Sequence, residues 1–278
     1  MNASGHYPVV VAFGALDALR DCLETLGCPA TVVDNSSLAE VSDLAMELGM
    51  TYIDPGKNIG FAAAVNVGIR SAPLDRHVVL VNPDAVVTRD DLDALACALE
   101  SESDLAAVSP ALMGLDGDAQ RVSWPFPSPT RMWRQAVIGG DGGPGACFVV
   151  GAVLMLKREA LDELGGFDER YFLYAEETDW QRRAYQSGWR CAVVSSVTVT
   201  HIGAATSSDA ARREVLFHSA AETYMRKWHG AAGWQSYRVA AVVGATVRGL
   251  FRPSERRADL RRASIYLRGP RRLADSLT

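Results

Sequence analysis

Short apolar runs alternating with amphipathic helical patterns predict an α/β fold built on a parallel sheet. Two observations carry this. "YPVVVAF" (7–13), "ATVVDNSS" (30–37) and "HVVLVNPD" (77–84) are β-branched or apolar runs that end in turn residues. The segments between them repeat their apolar residues at helical spacing. Strands that are continuously apolar, rather than alternating, suit a sheet covered by helices on both faces.

The elements follow in order. After the first strand, Leu16, Leu19, Cys22, Leu23 and Leu26 mark a helix that Gly27 is placed to stop. The second strand ends at "DNSS", and "LAEVSDLAMELG" supplies a helix stopped by Gly49. "MTYIDPG" reads as a third strand, "FAAAVNVGIRSA" as a helix, "HVVLVNPD" as a fourth strand and "TRDDLDALACALESE" as a helix. "WPFPSPT" and "GGDGGPG" flank a short "RMWRQAVI" stretch; such breaker-rich segments are connectors or the rim of a site. "FVVGAVLMLKREALDELGGFDE" gives a buried strand and a helix ended by Gly165. Thr178 and Gln181 fit a capping box, which predicts a helix through "DWQRRAYQS" to Gly188. "VTVT" is a final strand leading to His201.

The 278 residues suffice for one large α/β domain with an extension, or for two small domains; 48% are hydrophobic and 22% charged, an ordinary globular balance. Five scattered cysteines without a C-x-x-C pair argue for reduced thiols in the cytoplasm rather than a disulfide framework or a zinc site. The opening "MNASGHYPVVVAFG" lacks a basic n-region and a long apolar stretch, so no secretory signal is expected, and no apolar run approaches a membrane-spanning length. The net charge of −5 conceals a contrast, because residues 226–278 carry 12 Lys/Arg against 3 Asp/Glu.

Ligands of such sheets bind at the carboxyl ends of strands, so Asp34, Asn35, Asn58, Asn82 and Asp84 are the first candidates. Asn82 and Asp84 flank Pro83, either as an ordinary turn or as a place where a carboxylate holds a hard cation. His201 stands at a strand end, where a neutral imidazole serves structure or completes a divalent metal site. In "LYAEETDW", Glu176 and Glu177 are expected just before a helix N-terminus, which favours negative charge. Asp179 either stabilises that helix end or joins the site.

Together "VVDNSS", "DPGKNIGFAAAVNVGI", "VLVNPDAVV", "VGAVLMLKREALDELGGFDERYFLYAEETDW" and "HIGAATS" resemble family 2 inverting glycosyltransferases, closest to their rhamnosyltransferase-like branch, over about residues 8–228. The resemblance implies the nucleotide-diphospho-sugar transferase (GT-A, Rossmann-like) fold, with a mixed, largely parallel sheet. It implies a catalytic domain over 1–228 and a basic helical extension over 229–278. By this resemblance Asp34 contacts the base or ribose of the donor, and Asn58 and Gly60 line the donor cleft. Phe13, in "AFG" where Thr-Tyr-Asn is more familiar, also stands at the donor. "NPD" replaces the family's Asp-x-Asp, making Asp84 a metal ligand and Asn82 a departure at the donor site. His201 matches the later metal-binding histidine, so a divalent cation (Mg2+ or Mn2+) is implied. Glu177 takes the place of the catalytic base, with Glu176 as a hydroxyl contact and Asp179 as organiser.

The implied reaction moves a sugar, rhamnose from dTDP-rhamnose first, to a cell-envelope glycan or polyprenyl-linked acceptor. Another UDP- or dTDP-sugar is the near alternative, and a non-catalytic nucleotide-sugar-binding protein the distant one. For the tail, "RGLFRPSERRADLRRASIYLRGPRR" (248–272), two readings stand: a solvated helix packed on the acidic body, or an anchor on an anionic membrane that makes a cytoplasmic enzyme peripheral at the inner face of the plasma membrane. No nucleic-acid motif is present, so that partner is not expected. An oligomer is left open.

Overall fold

The computed structural model describes residues 5–140, 145–203, 209–251, 254 and 256–277. The chain forms two compact units: Met1–Trp124 with Cys147–Phe172 and Glu176–Ser208, and Pro125–Ala146 with Leu173–Ala175 and Asp209–Thr278. The boundary expected after residue 228 falls inside one long helix of the second unit.

The first unit opens with β1 (His6–Ala12), α1 (Leu16–Leu26), β2 (Thr31–Asp34), α2 (Ala39–Glu47), β3 (Thr51–Ile53), α3 (Phe61–Ser71) and β4 (His77–Val81). Gly27 and Gly49 take left-handed φ of 59° and 68°, and stop α1 and α2 as expected. β5 (Ala85–Val86), α4 (Arg89–Ser101), β6 (Leu105–Met113), β7 (Ala119–Gln120) and β8 (Ser123–Pro125) follow. Thr88 caps α4 through a capping box with Asp91. After α5 (Pro129–Val137) of the second unit come β9 (Cys147–Val149), β10 (Val153–Leu156), α6 (Arg158–Leu164), α7 (Glu176–Gln186) and β11 (Arg190–His201).

The main sheet runs β3-β2-β1-β4-β10-β6-β11-β5, with β7 added beside β6. β3, β2, β1 and β4 are mutually parallel, β10 is antiparallel to both its neighbours, and β11 returns parallel to β6. The sheet is therefore mixed, with its parallel half first in sequence. The strand order reverses between β1 and β4, which opens a crevice at their carboxyl ends. Val78, Val79, Leu80 and Val81 of β4 are all buried, as a strand covered on both faces requires. The run expected as one strand over 148–156 is split near Gly151: β9 pairs with β8 in a separate ribbon, and β10 enters the main sheet.

The second unit is helical: α5, α8 (Ala210–Phe251), α9 (Arg256–Arg268) and α10 (Pro270–Ala274). Gly230, at φ 65°, interrupts α8 with non-helical geometry. Trp234, Tyr237 and Tyr266 are buried together, and the Tyr266 hydroxyl hydrogen-bonds His218 Nδ1 at 3.0 Å. Burial pushes the His218 imidazole down to about 4, so it serves this core as a neutral ring. Ile265 and Tyr266, apolar residues of the basic tail, are buried.

Candidate active site

The turn after β2 is built around Asp34, whose side chain is buried. Its Oδ1 accepts from the Ser36 amide (2.8 Å) and hydroxyl (2.5 Å), and its Oδ2 from the Leu38 amide (2.9 Å) and Tyr52 hydroxyl (3.1 Å). A residue expected at the donor thus organises the 34–38 turn. Next to it, Asn35 ties β1 to the loop before α3. Its amide donates to Ala12 O (2.8 Å), its Nδ2 to Gly60 O (3.0 Å), and its Oδ1 accepts from Ile59 N (3.3 Å). Asn58 Oδ1 accepts from Gly60 N at 2.9 Å. Phe13 lies just past the end of β1 and is 40% exposed.

Gly60 starts α3 at φ 85°, where a Cβ would stand 2.7 Å from Phe172 O; only glycine permits that approach. The Phe61 amide donates to the same carbonyl at 2.7 Å. One turn later, buried Asn66 donates to Phe167 O and Glu169 Oε1 (2.9 Å each) and accepts from Phe167 N (2.8 Å). α3 is thereby locked to the segment that leads toward α7.

β4 delivers Asn82 and Asp84 to the sheet edge. The Asn82 amide donates to Ala152 O at 2.8 Å, which joins this turn to the start of β10. β5 pairs antiparallel with the end of β11, setting His201 opposite Ala85, and the Ile202 amide donates to Asp84 O at 3.0 Å. His201 Nε2 consequently lies 3.4 Å from Oδ1 of the buried Asp84. Gln120 fixes the ring. Its Nε2 donates to His201 O (2.8 Å), so its Oε1 meets Nδ1 at 2.9 Å and takes that proton. His201 Nε2 faces a carboxylate oxygen of Asp84, and these two atoms are the pair that a shared cation would take. Among the described residues no group of three or more His, Cys, Asp or Glu surrounds such a position. Mg2+ sites that lean on one or two protein ligands and on substrate phosphates need no more.

α7 starts at Glu176, two residues before the Thr178 cap that the sequence suggests. Tyr174 and Ala175 take left-handed φ of 72° and 64°, and this turn starts the helix early. Thr178 is buried inside the helix. Gln181 does not cap it but clamps β9, accepting from Val149 N (2.8 Å) and donating to Val149 O (2.7 Å). Asp179, also buried, accepts from the Tyr171 hydroxyl (3.2 Å) and from Arg183 Nε (3.4 Å). Arg183 in turn donates to Leu164 O and Gly166 O at 2.5 Å each, so Asp179 holds the entry to the helix in place.

Glu176 is buried and Glu177 half-buried, yet the Oε2 atom of each is closed to solvent and has no hydrogen-bond partner among the described residues. Burial, then the Glu177 charge, raises the Glu176 carboxyl well above the usual range. Burial also raises Glu177, against the opposing amides at the start of α7. The Glu177 side chain packs on Gly151: a Cβ there would lie 3.6 Å from its Cγ. Gly151 adjoins Ala152, the hydrogen-bond partner of Asn82, so the Glu pair belongs to the same sheet edge as Asp84 and His201.

Gln120, Asn66 and Gly151 are the residues that sequence reasoning missed. Nothing in "DAQRV", "AAAVNVGI" or "FVVGAV" marks them, because each acts through a partner far away in the chain.

The model of one protein family, described as glycosyl transferase family 21, matches residues 53–251. Its number differs from that of the family the motifs resemble, while the relatives are of the rhamnosyltransferase kind. An N-acetylglucosaminyl-diphospho-decaprenol L-rhamnosyltransferase of Mycobacterium tuberculosis is 27% identical over 73% of this chain and 75% of its own. A dTDP-rhamnosyl transferase of Shigella flexneri is 22% identical over 80% of this chain and 77% of its own. Among solved structures, a mannosyltransferase from Pyrobaculum calidifontis in complex with GDP-Man and Mn2+ superposes with a TM-score of 0.59 at 14% identity, covering 94% of this chain and 86% of that one. That likeness establishes the fold, the GT-A arrangement.

Proposed function

We propose that this chain, which belongs to glycosyl transferase family 21 and is a glycosyltransferase, moves rhamnose from dTDP-rhamnose to a hydroxyl of a polyprenyl-linked acceptor, with inversion at the anomeric carbon. Donor and acceptor are carried over from the names of its relatives. The chemical reading rests on one observation: two adjacent glutamates, one buried and one half-buried, each with a solvent-closed oxygen left without a partner among the described residues, at the strand edge that also carries Asp84 and His201.

The residues then divide the work. Glu177 takes the proton of the acceptor hydroxyl as that oxygen attacks the anomeric carbon opposite the departing nucleotide diphosphate. A positioned base of this kind contributes about 10²–10⁴-fold. A single displacement inverts the centre and needs no covalent sugar–enzyme intermediate, unlike a retaining glycosidase. Burial, then the Glu177 charge, raises the Glu176 carboxyl, and Glu176 is the hydrogen-bonding contact to a sugar hydroxyl beside the base. Asp179 positions both through Arg183 and Tyr171.

Asp84 and His201 would hold a divalent cation, Mn2+ or Mg2+, with the donor diphosphate. Bound there, the cation supplies positive charge against the charge developing on the leaving group. Phe13, Asn58, Gly60 and Asn82 line the donor side of the crevice, and Asp34 shapes it by holding the 34–38 turn that faces the nucleoside. A lipid-linked acceptor would bring the enzyme to the cytoplasmic face of a membrane. Among the described residues no helix is long and apolar enough to cross one.

The experiment is a donor screen. The protein is incubated with a polyprenyl-diphospho-sugar acceptor and dTDP-rhamnose, or with other UDP- and dTDP-sugars, and the lipid products are weighed by mass spectrometry. Rhamnose addition from dTDP-rhamnose, abolished by chelating divalent cations, is expected. Transfer from a different sugar nucleotide alone would replace the donor assignment.

A further inference from the structure

α8 carries an unpartnered apolar stripe beyond its kink. Val239, Val243, Val247 and Leu250 recur at helical spacing and are all exposed, Leu250 by 67% and the following Phe251 by 81%. Their neighbours on the flanks and the far side, Ala240, Ala241, Gly244, Ala245 and Gly249, are buried, so the helix is apolar on both its inner and its outer face. An outer face of this kind is what a soluble helix avoids.

Two elements border the stripe. α5 meets α8 at Gly244, where a Cβ would stand 3.0 Å from Ala136 Cβ. Val137 and Ile138, the next two residues after Ala136, are each 75% exposed at the end of α5. α9 meets α8 at Gly249, against Asp259 and Arg256. On α9, Leu260 and Leu267 are exposed seven residues apart, with exposed Arg257, Arg261 and Arg268 around the same face. Asp259 and Glu214 engage Arg248, Arg262 and Arg261. Arg256, Arg257 and Arg268 meet no acidic side chain among the described residues.

We infer that this face of the helical unit is a docking surface for an anionic lipid bilayer. The valine–leucine stripe with Phe251, Val137 and Ile138 enters the headgroup boundary, and the α9 arginines pair with lipid phosphates. Charge selects this occupant: residues 226–278 hold 12 Lys/Arg against 3 Asp/Glu in a chain whose net charge is −5. Arginine stems cover apolar surface while their heads stay among the phosphates. Each basic residue near such a surface is worth about fivefold in affinity, and a shallow apolar face adds to that. The structure also relocates the contact. Ile265 and Tyr266 are core residues, so the apolar part of the surface comes from α8 and α5, and α9 supplies mainly charge. The choice of a bilayer as occupant rests in part on the proposed lipid-linked acceptor; the exposed stripe and the arginines do not.

The test is co-sedimentation of the full chain with phosphatidylcholine vesicles, with and without phosphatidylglycerol, at low and high salt. Binding is expected with phosphatidylglycerol, weaker at high salt. Val243→Glu with Leu250→Glu should lower the bound fraction about tenfold or more, and Arg256→Glu with Arg257→Glu should act in the same direction. Both pairs are at the surface, so melting temperature and acceptor-free hydrolysis of the nucleotide sugar should match the parent protein. An intact protein that stays in the supernatant with phosphatidylglycerol vesicles at low salt overturns the inference. So does unchanged binding by both double variants, or a dimer in sedimentation velocity that Val243→Glu with Leu250→Glu disperses in a protein that ignores vesicles. Vesicle binding needs no sugar donor, so a protein that binds but transfers no rhamnose refutes the proposed reaction and leaves the surface standing.

Discussion

At the scale of single residues, the Glu176–Glu177 pair links stability to chemistry. Both carboxyls are raised, so the folded chain binds their protons more tightly than the unfolded chain does. The stabilisation that this tighter binding confers is complete below the unfolded carboxyl value near 4.5 and is lost as pH rises through the folded values. At pH 8 the pair therefore costs stability, and Glu176→Gln should raise the melting temperature there. Each kcal/mol recovered is worth about 2–4 °C in a domain of this size. The gain should shrink as pH falls toward 5; a calorimetric series showing a constant or reversed difference would contradict the assignment. The same pair should set the acid limb of kcat/KM. The two groups titrate jointly, and the limb should lie above the ordinary carboxylate range because the base must be ionised to act.

At the scale of elements, the site depends on ties between segments far apart in sequence. Asn66 on α3 holds Phe167 and Glu169, about a hundred residues on, and Gly60 admits the Phe172 carbonyl. Asn66→Ala removes three hydrogen bonds and strands the Phe167 amide, a loss of about 1–3 kcal/mol. It should lower the melting temperature measurably, whereas an unchanged melt would mean that α3 and the 165–172 segment are held by other contacts. These ties also mark what could and could not be read in advance. β1, β2 and β4 were legible because short valine-rich runs end in turn residues, and the candidates Asp84 and His201 lie at strand ends of that kind, whereas Glu177 was marked by the acidic run that opens α7. β6 was not, since Ser109 and Pro110 interrupt "LAAVSPALM" and its place comes from β10 and β11 on either side. The start of α7 was misjudged because non-glycine residues at positive φ leave no local signal, and Thr178 with Gln181 imitates a cap. Gln120 was invisible for the same reason as Asn66: its partner is 81 residues away.

At the scale of the molecule, the order reversal between β1 and β4 opens the crevice, and the pairing of β5 with β11 brings His201 back to Asp84. The antiparallel β10 places Gly151 and Ala152 where α7 can set Glu177 beside the Asn82 turn. Three distant stretches of chain thus converge on one strand edge, and the central claim is that this convergence makes Glu177 the base of an inverting transfer. Single-turnover transfer by Glu177→Gln, with donor affinity measured on the same protein by calorimetry, tests it most directly. The substitution keeps the size and most hydrogen bonding of the side chain but cannot accept the proton. Transfer should fall by at least about 10²-fold with donor affinity nearly unchanged. Transfer at close to the parent rate would contradict the claim and move the base to another carboxylate.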